Sequence, residues 1–114
     1  MKLDELAAKI GAKIVAGSTD SAKAAVDIGS VYAGDRVSDL LNHAGKGVLL
    51  VSNLVGSHLV CLAQLLDVPG ICLLNDIIPE AEAVKAALDN GTILMVSPVG
   101  MYETCGRLYK ALSP

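Results

Sequence analysis

The sequence is 114 residues long, the size of one domain, and we expect residues 1–114 to enclose a single core. Apolar residues make up 53% of it, yet it has no Phe or Trp and only three Tyr, so the core must consist of Leu, Val, Ile and Ala. The net charge is −3, and the nine Lys and Arg residues are scattered along the chain. Because nucleic-acid binding requires a concentrated positive face, this composition excludes a nucleic-acid partner.

The sequence also bears on where the protein works. No apolar stretch approaches the ~18 residues needed to cross a bilayer, and the first five residues, MKLDE, are too polar for a signal peptide. We therefore expect no membrane partner and a cytoplasmic location. The three cysteines, Cys61, Cys72 and Cys105, form no CxxC motif and fall at apolar positions, which predicts small buried side chains that remain reduced.

The amino-terminal half has weaker secondary-structure signals than the rest of the chain. Apolar residues at helical spacing predict a helix over residues 2–10, which Gly11 ends. The elements predicted after it are a strand over 12–16, a turn-rich segment over 17–23, a strand over 26–33 and a helix over 34–43. Of the two strands, the second has the weaker pattern.

From Gly47 onward the pattern is clearer. Three short apolar runs predict strands buried on both faces, at residues 48–51, 71–74 and 93–96. A helix follows each strand, over residues 57–66, 79–88 and 100–112. Pro79 suits the first turn of the middle helix, and Asn90 with Gly91 stops it.

The order of these elements predicts the fold class. Strands that alternate with helices through short connections are parallel and have right-handed crossovers. We therefore expect an α/β fold, a layered domain with a mainly parallel β-sheet flanked by helices. Residues 47–112 should supply three parallel strands, and the amino-terminal half should add to the same layer.

The predicted helix over residues 57–66 carries no formal charge, unlike the other helices of this length. A helix that is apolar on all sides must be covered on both sides, and so short a chain has few elements to spare. A homodimer built around this helix would cover it, which makes Leu59, Leu62 and Leu66 candidate interface residues. The alternative is that the amino-terminal helix folds across it.

The last predicted helix has two neighbouring apolar stripes. Met101, Cys105 and Leu108 lie on the stripe that we assign to the core. Tyr102 and Tyr109 lie on the second stripe, with Gly106 between them. Interfaces favour Tyr, but such rings usually extend the packing of the core beside them, and that is our interpretation.

Polar residues follow the three strands of the second half. Because ligands of parallel sheets collect beyond the carboxyl ends of the strands, the candidate ligand-binding residues are Asn53, Ser57, His58, Asn75 and Ser97. The turn at residues 56–58 places a hydroxyl and an imidazole at a helix N-terminus, which favours an anion. The same residues are also common in helix caps and turns without any ligand, so both interpretations stay open.

The sequence gives little support to catalysis. It contains none of the nucleotide-binding, hydrolase or metalloprotease motifs, such as GxGxxG, GxxxxGK[ST], GxSxG or HExxH. Its two histidines, His43 and His58, lie at no metal-ligand spacing, and Asp35 is placed as the N-cap of the helix that follows it. We therefore expect no catalytic residue, no metal and no cofactor.

From Gly34 to Leu112 the chain resembles the DRTGG domain family, small α/β domains found alone or inserted in larger bacterial and archaeal proteins. The segments that carry the resemblance are VSN at 51–53, GSH at 56–58, VPGIC at 68–72, IPE at 78–80, 92–97 and YET at 102–104. The family is also similar to the N-terminal domain of HPr kinase. The resemblance implies a regulatory or dimerisation module with no activity of its own.

The residues that give the family its name are not kept in this chain. Its Asp-Arg pair would fall near Val55–Gly56, and its Thr-Gly-Gly near residues 74–76. The function that we expect is a non-catalytic regulatory or protein-interaction module that acts as a homodimer. The alternative is a sensor that binds an anionic metabolite or nucleotide at the carboxyl ends of the strands.

Overall fold

A computed structural model describes residues 1–17, 21–54 and 56–114 of the chain. The helices in these residues are α1 (Leu3–Ile10), α2 (Val37–His43), α3 (Ser57–Leu65), α4 (Ala81–Asn90) and α5 (Met101–Leu112). The strands are β1 (Lys13–Ala16), β2 (Ser30–Ala33), β3 (Val48–Val51), β4 (Gly70–Leu73) and β5 (Ile93–Val96). None of these helices is long and apolar enough to span a membrane.

The strands form one sheet in the order β1-β5-β4-β3-β2. Four strands run parallel to one another, namely β2, β3, β4 and β5, and β1 lies antiparallel to β5 at one edge. The predicted α/β fold with a mainly parallel sheet is therefore confirmed. The amino-terminal half supplies both edge strands, one on each side of the three strands that the sequence predicts most clearly.

Helices cover both faces of the sheet, which makes three layers. Helices α1 and α5 pack on one face, where the buried side chains include Leu6, Val51 and Met95. Helices α2, α3 and α4 pack on the other face, where they include Leu40, Leu59 and Leu73. The apolar runs of β3, β4 and β5 are buried on both sides because each strand lies between two helical layers.

The predicted helix ends agree best with the structure where a glycine ends the helix. Gly11 and Gly91 both adopt the left-handed conformation, at φ of 74° and 73°, and their amides donate to carbonyl oxygens of the preceding helices. The start of α4 differs from the prediction, because Glu80 is the N-cap and Pro79 lies just outside the helix.

The segment before β2 is the least regular part of the amino-terminal half. The strand that we predicted over residues 26–33 is confined to Ser30–Ala33. Ile28 is buried in the core instead of extending the strand, and its amide donates to the carbonyl oxygen of Met1 at 2.8 Å. Of the predicted turn over 17–23, residues 18–20 lie outside the described part of the chain.

Helix α3 has a buried side and an exposed side. Leu59 is only 4% exposed and packs against the sheet, so its assignment to an interface is wrong: it belongs to the core of its own chain. Leu62 is half-buried, whereas Leu65 is 78% exposed and Leu66 is also exposed. The alternative prediction, that helix α1 covers α3, is wrong, because α1 packs against α5 on the opposite face of the sheet.

Two further predictions about side chains are corrected by the burial pattern. Tyr102 and Tyr109 are 95% and 80% exposed, so they point into solvent from α5 and do not extend the core. Cys72 is buried as expected and Cys105 is half-buried, but Cys61 is exposed on the outer side of α3. In the described residues, α3 therefore exposes the apolar side chain of Leu65, and α5 exposes the rings of Tyr102 and Tyr109.

The two ends of the chain lie near the same corner of the domain. Met1 accepts the hydrogen bond from Ile28, just before β2. At the other end, Ser113 and Pro114 line a groove together with Gly29, the residue that immediately precedes β2. Both ends therefore lie close to the start of the edge strand β2.

Candidate functional site

The candidate site is the edge of the sheet where the four parallel strands end. The loops after β2, β3, β4 and β5 meet there, and α3, α4 and α5 lead away from it. This edge is where ligands of parallel sheets collect. All five candidate ligand-binding residues lie on these loops or in the first turn of α3.

Asp35 joins the loops after β2 and β3. Its Oδ1 accepts hydrogen bonds from the amide of Asn53 at 2.7 Å and from the Ser52 hydroxyl at 3.2 Å. Its Oδ2 accepts a further one from Asn53 Nδ2 at 3.1 Å. The prediction that Asp35 caps α2 is wrong, because Arg36 is the N-cap residue and its side chain makes no capping hydrogen bond.

These hydrogen bonds stabilise the charged form of the Asp35 carboxyl. The amide of Asn53 makes the largest contribution, which partial burial opposes, and the side chains of Asn53 and Ser52 add to it, so that the pKa of Asp35 lies below its ordinary value of 3.8. Asn53 is a predicted ligand-binding residue, and Asp35 uses its backbone N–H and one N–H of its Nδ2. Its side-chain oxygen and the second N–H of Nδ2 are the groups that it still offers.

The N-terminus of α3 carries two of the candidate residues. Gly56 is its N-cap, with extended backbone, and has no side chain that could cap the helix. Ser57 is half-buried and His58 is exposed, so both can be reached from solvent. A side-chain carboxylate of the same chain also approaches this point, since a Cβ on Gly56 would lie 3.9 Å from Glu80 Oε2. An anion at this helix would meet the positive end of the helix dipole and a negative carboxylate together.

The loop after β4 has an uncommon backbone conformation. Asn75 and Asp76 both adopt the left-handed region, at φ of 59° and 56°. Their amides donate to the carbonyl oxygens of Val99 and Ser97, at 2.9 Å and 2.8 Å, which ties this loop to the loop after β5. The Asn75 side chain is exposed and lies near Gly100, where a Cβ would be 3.5 Å from Oδ1.

Ser97 has a structural position and is not available to a ligand. It is fully buried, and its Oγ lies 2.7 Å from Oγ1 of Thr104, which is also buried. The Thr104 hydroxyl in turn lies within hydrogen-bond distance of Val99 O, at 3.3 Å. The prediction of Ser97 as a ligand contact is therefore corrected: its hydroxyl fixes the start of α5.

The structure thus divides the five predicted residues into two groups. Ser57, His58, Asn75 and part of Asn53 are open to solvent, whereas Ser97 is enclosed. Sequence reasoning missed Asp35, Glu80 and Thr104, the three residues whose contacts shape the site. Asp35 could have been found from its place directly after a strand that joins the same sheet edge.

The described residues contain no group of three or more His, Cys, Asp or Glu that could hold a metal ion. In the same residues, every buried side-chain nitrogen or oxygen has a hydrogen-bond partner. The buried hydroxyls at this edge, those of Ser52, Ser97 and Thr104, therefore bind within the chain and hold the loops in place.

Comparison with known proteins bears on the fold. No family model matches this chain, and no curated protein matches it. Among solved structures it is similar to the CBS and DRTGG domains of the regulatory region of Clostridium perfringens pyrophosphatase, which were solved in complex with the activator diadenosine tetraphosphate. The TM-score is 0.70 at 12% sequence identity, and the match covers 97% of this chain and 47% of that one.

The two chains share a fold. This chain spans less than half of the length of the solved chain that it matches. The solved chain contains a DRTGG domain, which supports the expected resemblance to that family. Because the sequence identity is low, the support extends to a related fold and no further.

Proposed function

We propose that this chain is a regulatory module that has no catalytic activity of its own and acts as a homodimer. The observation that carries the proposal is the fold that it shares with the regulatory region of a pyrophosphatase. The arrangement at the carboxyl edge is consistent with it, because the Asp35 carboxylate and the buried Ser97 and Thr104 hydroxyls are engaged in structural hydrogen bonds.

The homodimer is proposed because this small domain leaves apolar side chains in water. Helix α3 is the surface that the sequence favours, and Leu62 and Leu66 are its two predicted interface residues that reach the surface. Leu65 joins them at 78% exposure. A second copy that covered this side of α3 would remove these leucines from water.

The test of the homodimer is the mass in solution. Light scattering at micromolar concentration should return twice the monomer mass of 11.7 kDa. Leu65→Glu places a charge on this exposed side without entering the core, so it should release a folded monomer if α3 forms the contact. A monomer in the unaltered protein over this concentration range would contradict the homodimer itself.

The second candidate function is a sensor of anionic metabolites or nucleotides. It is favoured by the diadenosine tetraphosphate bound to the pyrophosphatase regulatory region, and by the uncapped N-terminus of α3 beside Ser57 and His58. Asn53 and Asn75 would complete the contacts from the neighbouring loops. In this alternative the protein partner is replaced by a small anion at the carboxyl edge.

Substitution of Glu80 tests the sensor through a predicted gain in anion affinity. Because its carboxylate lies close to the N-terminus of α3, it opposes an incoming anion, and Glu80→Gln should tighten binding. His58→Ala should weaken binding in the same assay. Calorimetric titration with diadenosine tetraphosphate, ATP and inorganic phosphate measures both effects, and an absence of heat from all three in every variant would exclude the sensor.

A further inference from the structure

Strand β2 forms an open edge of the sheet. It pairs with β3 on one side, and no strand of the described residues pairs with its other side. The amides of Ser30 and Gly34 donate toward β3, to Gly47 O at 3.3 Å and Val51 O at 2.9 Å. Because backbone groups alternate along a strand, the amides and carbonyls of Val31 and Ala33 point to the open side.

An apolar groove runs beside this edge, on the face that α5 covers. It has a volume of about 420 Å³, and its walls are β2 and the last turns of α5. The side chains of Val31 and Ala33 form one wall, and Cys105, Leu108 and Leu112 contribute to the other. Tyr109 lies at the rim with 80% of its surface exposed. The open backbone groups and the apolar groove are therefore parts of one surface.

The two edges of the sheet differ in how they are protected. Natural edge strands avoid pairing with other chains by carrying charges or irregularities. The edge strand β1 has both, since it begins with the exposed Lys13 and its register shifts between Ile14 and Ala16. Strand β2 has neither, and no charged or proline residue occurs from Ile28 to Gly34. The edge at β2 has the features of a strand that pairs.

We propose that β2 pairs antiparallel with β2 of a second copy of this chain. The two five-stranded sheets then form a single continuous sheet with ten strands. This inference rests on the proposed homodimer and assigns its contact to the β2–α5 surface instead of α3. With the two-fold axis at Tyr32, Val31 of each copy lies opposite Ala33 of the other. Such a pair exchanges two backbone hydrogen bonds, so the two pairs make four.

The charges at the two ends of β2 suit this pairing. Asp27 precedes β2 and Arg36 follows it, so antiparallel pairing brings the Asp27 end of each strand toward the Arg36 end of the other. Both side chains are mostly exposed in the single chain, where Asp27 contacts the amino group of Met1 and Arg36 lies 3.8 Å from Asp39. Antiparallel pairing therefore places opposite charges together, whereas parallel pairing would place like charges together.

Helix α5 contributes the other part of the contact. It lies over β2, so the two-fold axis that joins the strands brings the two copies of α5 to the same face of the joined sheet. The two grooves then adjoin, with one Tyr109 at the rim of each. This arrangement gives the exposed Tyr109 a partner surface, and Tyr is a residue that dominates many protein interfaces.

The experiment uses two variants of this surface and two matched controls. Val31→Pro removes an outward amide and leaves the pairing with β3 intact, since edge strands tolerate proline where the amide faces solvent. Tyr109→Glu alters the rim of the groove and cannot disturb the core, because the side chain is already exposed. Leu65→Glu and Leu88→Glu make the same kind of change on the exposed sides of α3 and α4.

We expect Val31→Pro and Tyr109→Glu each to raise the dimer dissociation constant about tenfold or more, and Leu65→Glu and Leu88→Glu to leave it unchanged. Circular dichroism should be the same for all four variants. In the unaltered protein, hydrogen exchange at the amides of Val31 and Ala33 should slow as the protein concentration rises.

The outcomes separate this inference from the proposed function. A dimer that survives both Val31→Pro and Tyr109→Glu but dissociates with Leu65→Glu would overturn the inference and leave the homodimer intact. A protein that is monomeric without any substitution would overturn both. If Val31→Pro unfolds the chain, Tyr109→Glu and the exchange of the two amides still decide the question.

Discussion

The two sides of α3 can be compared directly by shortening one leucine on each. Leu59→Ala and Leu65→Ala make the same chemical change in the same helix, so the difference in helix propensity is also the same. Leu59 is 4% exposed and lies between the helix and the sheet, whereas Leu65 is 78% exposed. The pair therefore isolates the effect of burial.

The expected magnitude follows from the surroundings of Leu59. Truncation of a buried leucine to alanine costs about 2–5 kcal/mol, and the cost rises with the cavity that remains. A void of about 10 Å³ already adjoins this side chain between α2 and α3, lined also by Leu40 and Leu50. Truncation would enlarge that void, so we expect a loss of about 3 kcal/mol in the free energy of unfolding. Leu65→Ala should change it by less than about 0.5 kcal/mol.

Urea denaturation followed by circular dichroism measures both values. For a chain of this size, about 3 kcal/mol corresponds to a fall in melting temperature of roughly 12 °C. The measurement should be repeated at two protein concentrations, since association would add to the apparent stability of either form. The assignment of the two sides of α3 is refuted if Leu65→Ala proves the more destabilising, or if both variants unfold at the same urea concentration.

Three further predictions concern the carboxyl edge and the thiols. Asp35→Ala should lower the free energy of unfolding by about 1 kcal/mol at neutral pH, a value reduced for the exposure of the carboxylate. In the folded protein the pKa of Asp35 lies below its ordinary value of 3.8. Urea denaturation should therefore show the stability difference between the two proteins becoming smaller as the pH falls from 3.8 through the folded pKa. Ser97→Ala should cost about 1–3 kcal/mol in thermal unfolding, since it leaves the buried Thr104 hydroxyl without its closest partner. In maleimide labelling, Cys61 should react in the folded protein, while Cys72, whose pKa burial raises to about 12, should react only after denaturation.

Residue pattern alone predicts the central sheet and its helices, because the apolar runs of β3, β4 and β5 reflect burial on both faces. It predicts much less about the edges. Strand β2 is short, and Ile28 before it has the apolar character of a strand residue although it packs in the core outside the strand. A pattern of apolar residues does not distinguish these two forms of burial.

The candidate site was predicted in outline only. The loops that meet at the carboxyl edge follow from the order of strands and helices, which locates Asn53 and Asn75 after β3 and β4. The roles of Asp35 and Ser97 depend on which atoms meet across loops that are far apart in sequence. The sequence therefore predicted Asp35 as a helix cap, although its carboxylate accepts a hydrogen bond from the loop after β3. It predicted Ser97 as accessible to a ligand, although the Ser97 hydroxyl is hydrogen-bonded to that of Thr104.

The closeness of the two chain ends has a consequence for how this fold can be combined with others. Met1 and the segment at Ser113 and Pro114 both lie beside the start of β2. A longer polypeptide could therefore enter and leave the domain at one small patch, without threading through the sheet. Splicing the domain into a surface loop of a host protein would require only short linkers, and joining its own ends would allow the chain to be opened elsewhere.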